Sequence, residues 1–228
     1  MMPLFKSQHG GRPLPSRQTI TCEVIAAPRD SFDIEGVDVE SQKENQMPTY
    51  PIQTIASAPE KSKPALEQLQ QAFGSIPNLA GVISNSPKLV TSLVGVFQQV
   101  HSSSLTEQEI QIVLLTDAVT NSSTYAVAFH TALALKQGVS SDETEAIRAQ
   151  LVPKDRRFGA LSTLAKTLIE KRGHLSEQEL DAFLAADFTQ EQILEVIAVV
   201  AASTITNYAG TIANPPLEDQ FQPFAWRA

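Results

Sequence analysis

Cysteine is almost absent from this chain. Cys22 is the one thiol in 228 residues, which excludes an intrachain disulfide and any dithiol redox cycle carried by a single chain. Histidine is scarce too, and His9, His101 and His174 are scattered without the i, i+4 pairing or carboxylate cluster that a zinc or iron site wants. Neither a metal nor another cofactor is expected. No uninterrupted apolar run reaches the roughly 18 residues that suggest a membrane span, so a cytoplasmic protein without membrane contact is expected. Positive charge is in deficit, with 17 Lys and Arg against 25 Asp and Glu for a formal net charge of −8. The basic residues form no stripe interleaved with aromatics, so nucleic acid is not an expected partner. Sustained polar–apolar alternation is missing as well, which leaves an all-α fold.

What is present falls into three stretches. Residues 1–46 hold Gly10, Gly11, Pro13, Pro15 and Pro28 and then the acids Asp33, Glu35, Asp38, Glu40 and Glu44, a texture that predicts a poorly ordered arm. Lys6, Arg12 and Arg17 precede the first acid there, a faint transit-peptide signature that the glycines and prolines spoil. Residues 47–214 read as helix after helix, and 215–228 form a tail in which Phe224 and Trp226 suggest an arm pinned by aromatic burial, against a neighbouring subunit among other surfaces.

The helices announce themselves by their ends. Pro64 suits a first helical turn and Gly74 a stop, and Ser86-Pro87 opens a helix with an apolar stripe at Leu89, Leu93, Val96, Phe97 and Val100. Thr106 with Glu109, Ser140 with Glu143, Ser176 with Glu179 and Thr189 with Gln192 are capping-box patterns, each pairing orphan backbone N–H groups with a side chain three residues away. A helix within Ser123 to Gln137 ends at Gly138, where a left-handed cap is favoured. The run from Ile193 to Ala202 is apolar nearly all round and is expected to be buried on more than one side, by the core or by another subunit. Leu105-Thr-Glu-Gln-Glu-Ile110 is echoed by Phe188-Thr-Gln-Glu-Gln-Ile193, with Tyr125 and Tyr208 at the same offset, so two related helical units are expected.

The most informative stretch runs from Leu105 to Gly138. Ser123-Thr-Tyr-Ala126 followed by His130 has the skeleton of Cys-x-x-Cys-x-x-x-His, with serine and alanine at the cysteine positions. Together with Phe73-Gly-Ser-Ile-Pro-Asn-Leu79, Asn85-Ser-Pro87 and Leu175-Ser-Glu-Gln-Glu-Leu180, this segment resembles the alkylhydroperoxidase D-like, or carboxymuconolactone decarboxylase, superfamily over roughly residues 47–213. The resemblance implies an all-α protomer assembled as a homo-oligomer, trimer or hexamer. In such peroxidases a cysteine pair attacks the hydroperoxide and closes to a disulfide, while a glutamate one helix earlier and a histidine relay protons. Here Ser123 and Ala126 stand at the thiol positions and Gln111 at the glutamate; His130 alone matches.

Those replacements decide the chemistry. Peroxide cleavage needs a thiolate of lowered pKa, which a serine hydroxyl cannot supply. Ala126 cannot resolve an intermediate, and an amide at Gln111 cannot accept and return a proton at neutral pH. His130 is either a residual acid or base in a pocket or a histidine held in a helix–helix contact. Ser123 with His130 as its base would lie two helical turns apart, too far for direct contact. Asp117 could stand in for the lost carboxylate or be a solvated helix residue, and Tyr125 could donate a proton or simply pack. Three functions follow. One is a hydroperoxidase-like protein without thiol turnover, acting as an oligomeric scaffold or small-molecule binder. Another is a cysteine-independent acid–base enzyme of the lactone decarboxylase type using His130, and the last an interaction protein working through its acidic arm. An enclosed pocket containing His130, Tyr125 and a carboxylate would favour the enzyme.

Overall fold

The computed structural model describes residues 50–227; the expected arm 1–46 and Cys22 lie outside the described residues. Among those described there are nine α-helices and no strand. They are α1 (Lys63–Phe73), α2 (Asn78–Ile83), α3 (Pro87–Val100), α4 (Glu107–Thr120), α5 (Thr124–Lys136), α6 (Ser141–Arg148), α7 (Arg156–Glu170), α8 (Glu177–Leu184) and α9 (Gln190–Ala213). A 3-10 turn, Asp219–Phe224, shapes the tail.

The local signals place the boundaries. Full capping boxes start α4, α8 and α9 at Thr106, Ser176 and Thr189. Ser140 caps α6 by accepting from the Glu143 N–H, but the Glu143 carboxylate does not close the box: it accepts instead from the backbone of Lys154 and Asp155, tying the next loop to the helix. Asp155 in turn caps α7. Gly138 sits at φ +85 after α5, where a side chain would be strained. Gly81 is needed for a different reason, because a Cβ there would lie 2.7 Å from the Gln53 carbonyl of the segment laid across α2.

The helix buried on every side is α4. Every residue from Glu109 to Val119 is buried, and α4 packs against α5, α6, α7 and α9. Ile110, Ile112, Val113, Leu114 and Leu115 are each essentially inaccessible, and burying five such side chains contributes on the order of 10 kcal/mol before the entropy of ordering is subtracted. The capping carboxylate of Glu109 is also salt-bridged to Arg157 at 2.7 Å, and that guanidinium lies 3.8 Å over the Phe188 ring.

By contrast α9, expected to be buried on more than one side by the core or by another subunit, is half open within the protomer. Val196, Val199 and Ala202 face the core, while Leu194, Ile197, Tyr208 and Ile212 are exposed along one side. It is also the one described helix long and apolar enough, by length and composition, to cross a bilayer. A second layer, α1 to α3, packs over α5 and α9 through Leu79, Ile83, Val90, Leu93 and Tyr125.

The tail is pinned to its own protomer rather than reaching outward. Phe221 is its buried aromatic, edge-on to Phe129 at 5.0 Å, and Arg148 donates to the carbonyls of Phe224 and Ala225 while Trp226 donates to the Arg148 carbonyl.

Candidate functional site

Between the α1–α3 layer and helices α4 and α5 lies a cavity of about 590 Å³. Its walls are apolar, with Leu69, Phe73, Val94, Phe97, Leu114 and Phe129 prominent. Helix α5 supplies Tyr125, Ala126, Phe129 and His130 from one face, and α4 supplies Gln111.

His130 is buried, and its Nδ1 lies 3.1 Å from the Gln111 carbonyl oxygen. A neutral imidazole with hydrogen on Nδ1 donates to that oxygen, which leaves Nε2 as a bare acceptor. Burial pushes the His130 pKa down to about 3, with the nearby His101 adding to the shift, so the ring is uncharged at neutral pH. Its hydrogen-bond partner is an amide, which carries no negative charge to favour an imidazolium.

His101, one of the histidines scattered in the sequence, lines the same cavity. Its Nδ1 lies 3.0 Å from both carboxylate oxygens of Glu107, and its ring stacks on Phe97 with centroids 6.0 Å apart. The pair sits at the solvent-facing side, since His101 is exposed and Glu107 partly so. A histidine ending one helix and a carboxylate opening the next, six residues later, was the available signal.

Tyr125 lines the cavity as well, but its hydroxyl is spoken for. It donates to Glu218 Oε1 at 2.9 Å, and the same carboxylate oxygen accepts from the Asn78 N–H at 2.7 Å. Burial, then the Glu218 charge, raise the Tyr125 pKa further above its ordinary value. This tyrosine clips the tail to α2 and α5.

Ser123 and Ala126 part company. Ala126 lines the cavity; Ser123 does not. The Ser123 hydroxyl is buried without a hydrogen-bond partner among the described residues and faces α9, where a Cβ on Gly210 would lie 3.7 Å from it. No hydrogen bond joins it to His130, whose Nδ1 is engaged by Gln111. Asp117 is also elsewhere: neither solvated nor in the cavity, it is fully buried between α4 and α9. Burial holds its pKa well above the usual carboxylate range, with the Ser203 hydroxyl opposing the shift, although no hydrogen bond of normal length reaches either oxygen among the described residues. Among the described residues no three His, Cys, Asp or Glu side chains gather as a metal centre.

An all-α protomer with a half-open apolar cavity ending on a histidine of α5 is the class that fold and site define. The carboxymuconolactone decarboxylase family profile matches residues 87–156, from α3 to the start of α7. The fold is shared with the AhpD-core, peroxidase-related protein of Ralstonia eutropha JMP134, at 16% identity and a TM-score of 0.68 over 77% of this chain and 95% of that one. It is shared also with a cysteine-to-alanine variant of the debrominase Bmp8 in complex with 2,3,4-tribromopyrrole (15% identity, TM-score 0.66, 79% and 96% covered). A peroxidase-related protein of Silicibacter sp. TM1040 is similar at 14% identity and a TM-score of 0.65, with 79% and 97% covered. No curated protein matches. The match to the carboxymuconolactone decarboxylase family is thus confined to the α3–α6 stretch, and the fold around it is the alkylhydroperoxidase D-like one.

Proposed function

We propose that this chain is a small-molecule-binding member of the superfamily that performs no dithiol peroxidase turnover. The observation that carries the reading is the cavity itself: about 590 Å³ of apolar space ending on His130, with Ala126 and Gln111 at positions the superfamily resemblance gives to a thiol and a glutamate. Volume and lining are those of a site for a compact organic ligand. A protein of the same fold has been seen in complex with 2,3,4-tribromopyrrole, a small aromatic, which supports the reading.

Self-association accompanies it. Leu194, Ile197, Tyr208 and Ile212 leave an apolar side of α9 in solvent, and a homo-oligomer, trimer or hexamer, would cover it. Light scattering is expected to report a species heavier than the 24.7 kDa protomer.

A second reading rests on the same cavity. His130, Tyr125 and the Glu107 carboxylate all line it, so a cysteine-independent acid–base reaction with His130 as base has the groups it needs.

The deciding measurement is hydroperoxide consumption with dithiothreitol or a lipoamide-type reductant. The unmodified protein is expected to show none, and turnover that survives Cys22→Ser would overturn the reading. Introducing Ser123→Cys, Ala126→Cys and Gln111→Glu together is expected to give weak thiol-dependent consumption, weak because Ser123 faces α9 and catalytic geometry is sensitive to errors on the order of 1 Å.

A further inference from the structure

The polar atoms of the cavity are few, and each excludes a kind of ligand. Deep inside, Nε2 of His130 is an acceptor without a hydrogen-bond partner among the described residues, because the Nδ1 hydrogen is committed to Gln111. Lys136 is the only lysine or arginine among the lining residues, and it is exposed at the mouth. An anion pushed inward would therefore meet a lone pair and no cation. A cation fares no better, since the one lining carboxylate, Glu107, is hydrogen-bonded to His101 at the solvent-facing side and Asp117 lies outside the cavity. A hydrocarbon without a donor would strip water from Nε2 and return nothing.

We propose that the cavity takes an uncharged aromatic ligand carrying one acidic hydroxyl, a phenol-type molecule, with the ring among Phe73, Phe97 and Phe129 and the O–H donated to Nε2 of His130. The inference rests on the small-molecule reading above and names its ligand class. Gln111 has the positioning role: its carbonyl fixes which imidazole nitrogen carries hydrogen, and so presents the acceptor to the cavity. Depression of the His130 pKa to about 3 keeps that acceptor available throughout the neutral range.

The test is a binding series at pH 7 with 2-naphthol, naphthalene and 2-naphthoate, equal in ring size and different in the group offered. Expected is 2-naphthol binding roughly tenfold or more tighter than either of the others, the size of one well-made buried hydrogen bond. His130→Leu is expected to abolish the preference while naphthalene still binds. His130→Gln keeps a side-chain acceptor, so it is expected to retain the preference, which reads the role even if the leucine variant does not fold. Equal binding of naphthalene and 2-naphthol would overturn the inference and leave the small-molecule reading standing. Tightest binding of 2-naphthoate would overturn it in favour of an anion. Failure of all three to bind would overturn the small-molecule reading itself.

Discussion

The stretches beginning at Thr106 and at Thr189 start alike and end as opposites. Each opens with a capping box and carries a tyrosine at the same offset, Tyr125 and Tyr208. The first stops at Thr120, turns and restarts as α5; the second continues unbroken for 24 residues. The turn is a Schellman arrangement. Ser122 takes the left-handed conformation at φ 52, its N–H donates to the Val119 carbonyl, and the Ser123 N–H reaches back to the Ala118 carbonyl. Ile205, at the same offset as Ser122, is in the middle of α9. The turn redirects α5 so that Tyr125 is buried and His130 faces the cavity; without one, Tyr208 is 59% exposed and Ala213 stands at the histidine's place. One left-handed residue separates a stretch that builds a site from one that presents a surface.

The sharpest way to break the comparison is at the caps. Glu109→Ala removes a box carboxylate that is also the buried half of the Arg157 ion pair, whose other half is 37% exposed. It is expected to cost about 2–4 kcal/mol in urea unfolding, whereas Gln192→Ala, which loses only its box, is expected to cost about 1 kcal/mol. Equal losses would mean that the Arg157 bridge adds nothing.

Acid separates the two stretches next. The folded-state pKa of His130 is depressed from 6.5 to about 3. Its contribution is therefore full above 6.5, and between 6.5 and about 3 the unfolded chain takes up a proton that the folded chain refuses. Stability then falls with acidity by up to about 1.4 kcal/mol per pH unit. Asp117 tilts the other way, its raised folded-state value favouring the folded chain increasingly as pH drops toward the ordinary 3.8, so the informative quantity is the slope relative to wild type. His130→Leu is expected to flatten the fall between pH 6.5 and 4. Ala213→His, with the imidazole at the equivalent but half-buried place, is expected to leave the slope unchanged.

Smaller effects sharpen the same contrast. Tyr125→Phe is expected to cost about 1–2 kcal/mol, since Glu218 loses a donor in a buried setting, and Tyr208→Phe is expected to fall within about 0.5 kcal/mol of wild type. Ser122→Gly relieves the left-handed residue and is expected to gain about 0.5–1 kcal/mol, while Ile205→Gly in mid-helix is expected to lose at least that much in thermal unfolding.

How far the sequence could be read follows from how local each signal is. Thr106, Ser176 and Thr189 declare helix starts because the groups that satisfy them lie three residues away. Ser140 shows the limit, since nothing near it says that Glu143 would leave the box for the Lys154 loop. The site was legible as a set of residues, with Gln111 and His130 in contact, but not as a space, because the cavity is assembled from lining residues between Gln68 and Thr206. Ser123 looked like a cavity residue from its spacing to Ala126; the left-handed step just before it aims its hydroxyl at α9 instead. Apolar character alone did not rank the helices by burial within the protomer, for α4 carries Glu109, Gln111, Thr116 and Asp117 and is enclosed, while the more uniformly apolar α9 is open along one side.

The tail gives the end of the chain a hand in the shape of its middle. Phe129 forms one wall of the cavity and meets His130 edge-on at 5.3 Å, and it also rests against Phe221, held in place by the Glu218 and Arg148 anchors on either side. Residues 215–227 are thus a buttress, and the cavity wall leans on it. A protein cut after Asn214 would keep all nine described helices and lose the masonry behind Phe129. Its circular dichroism would pass inspection while its pocket slackened, so tags and fusions belong at the other end.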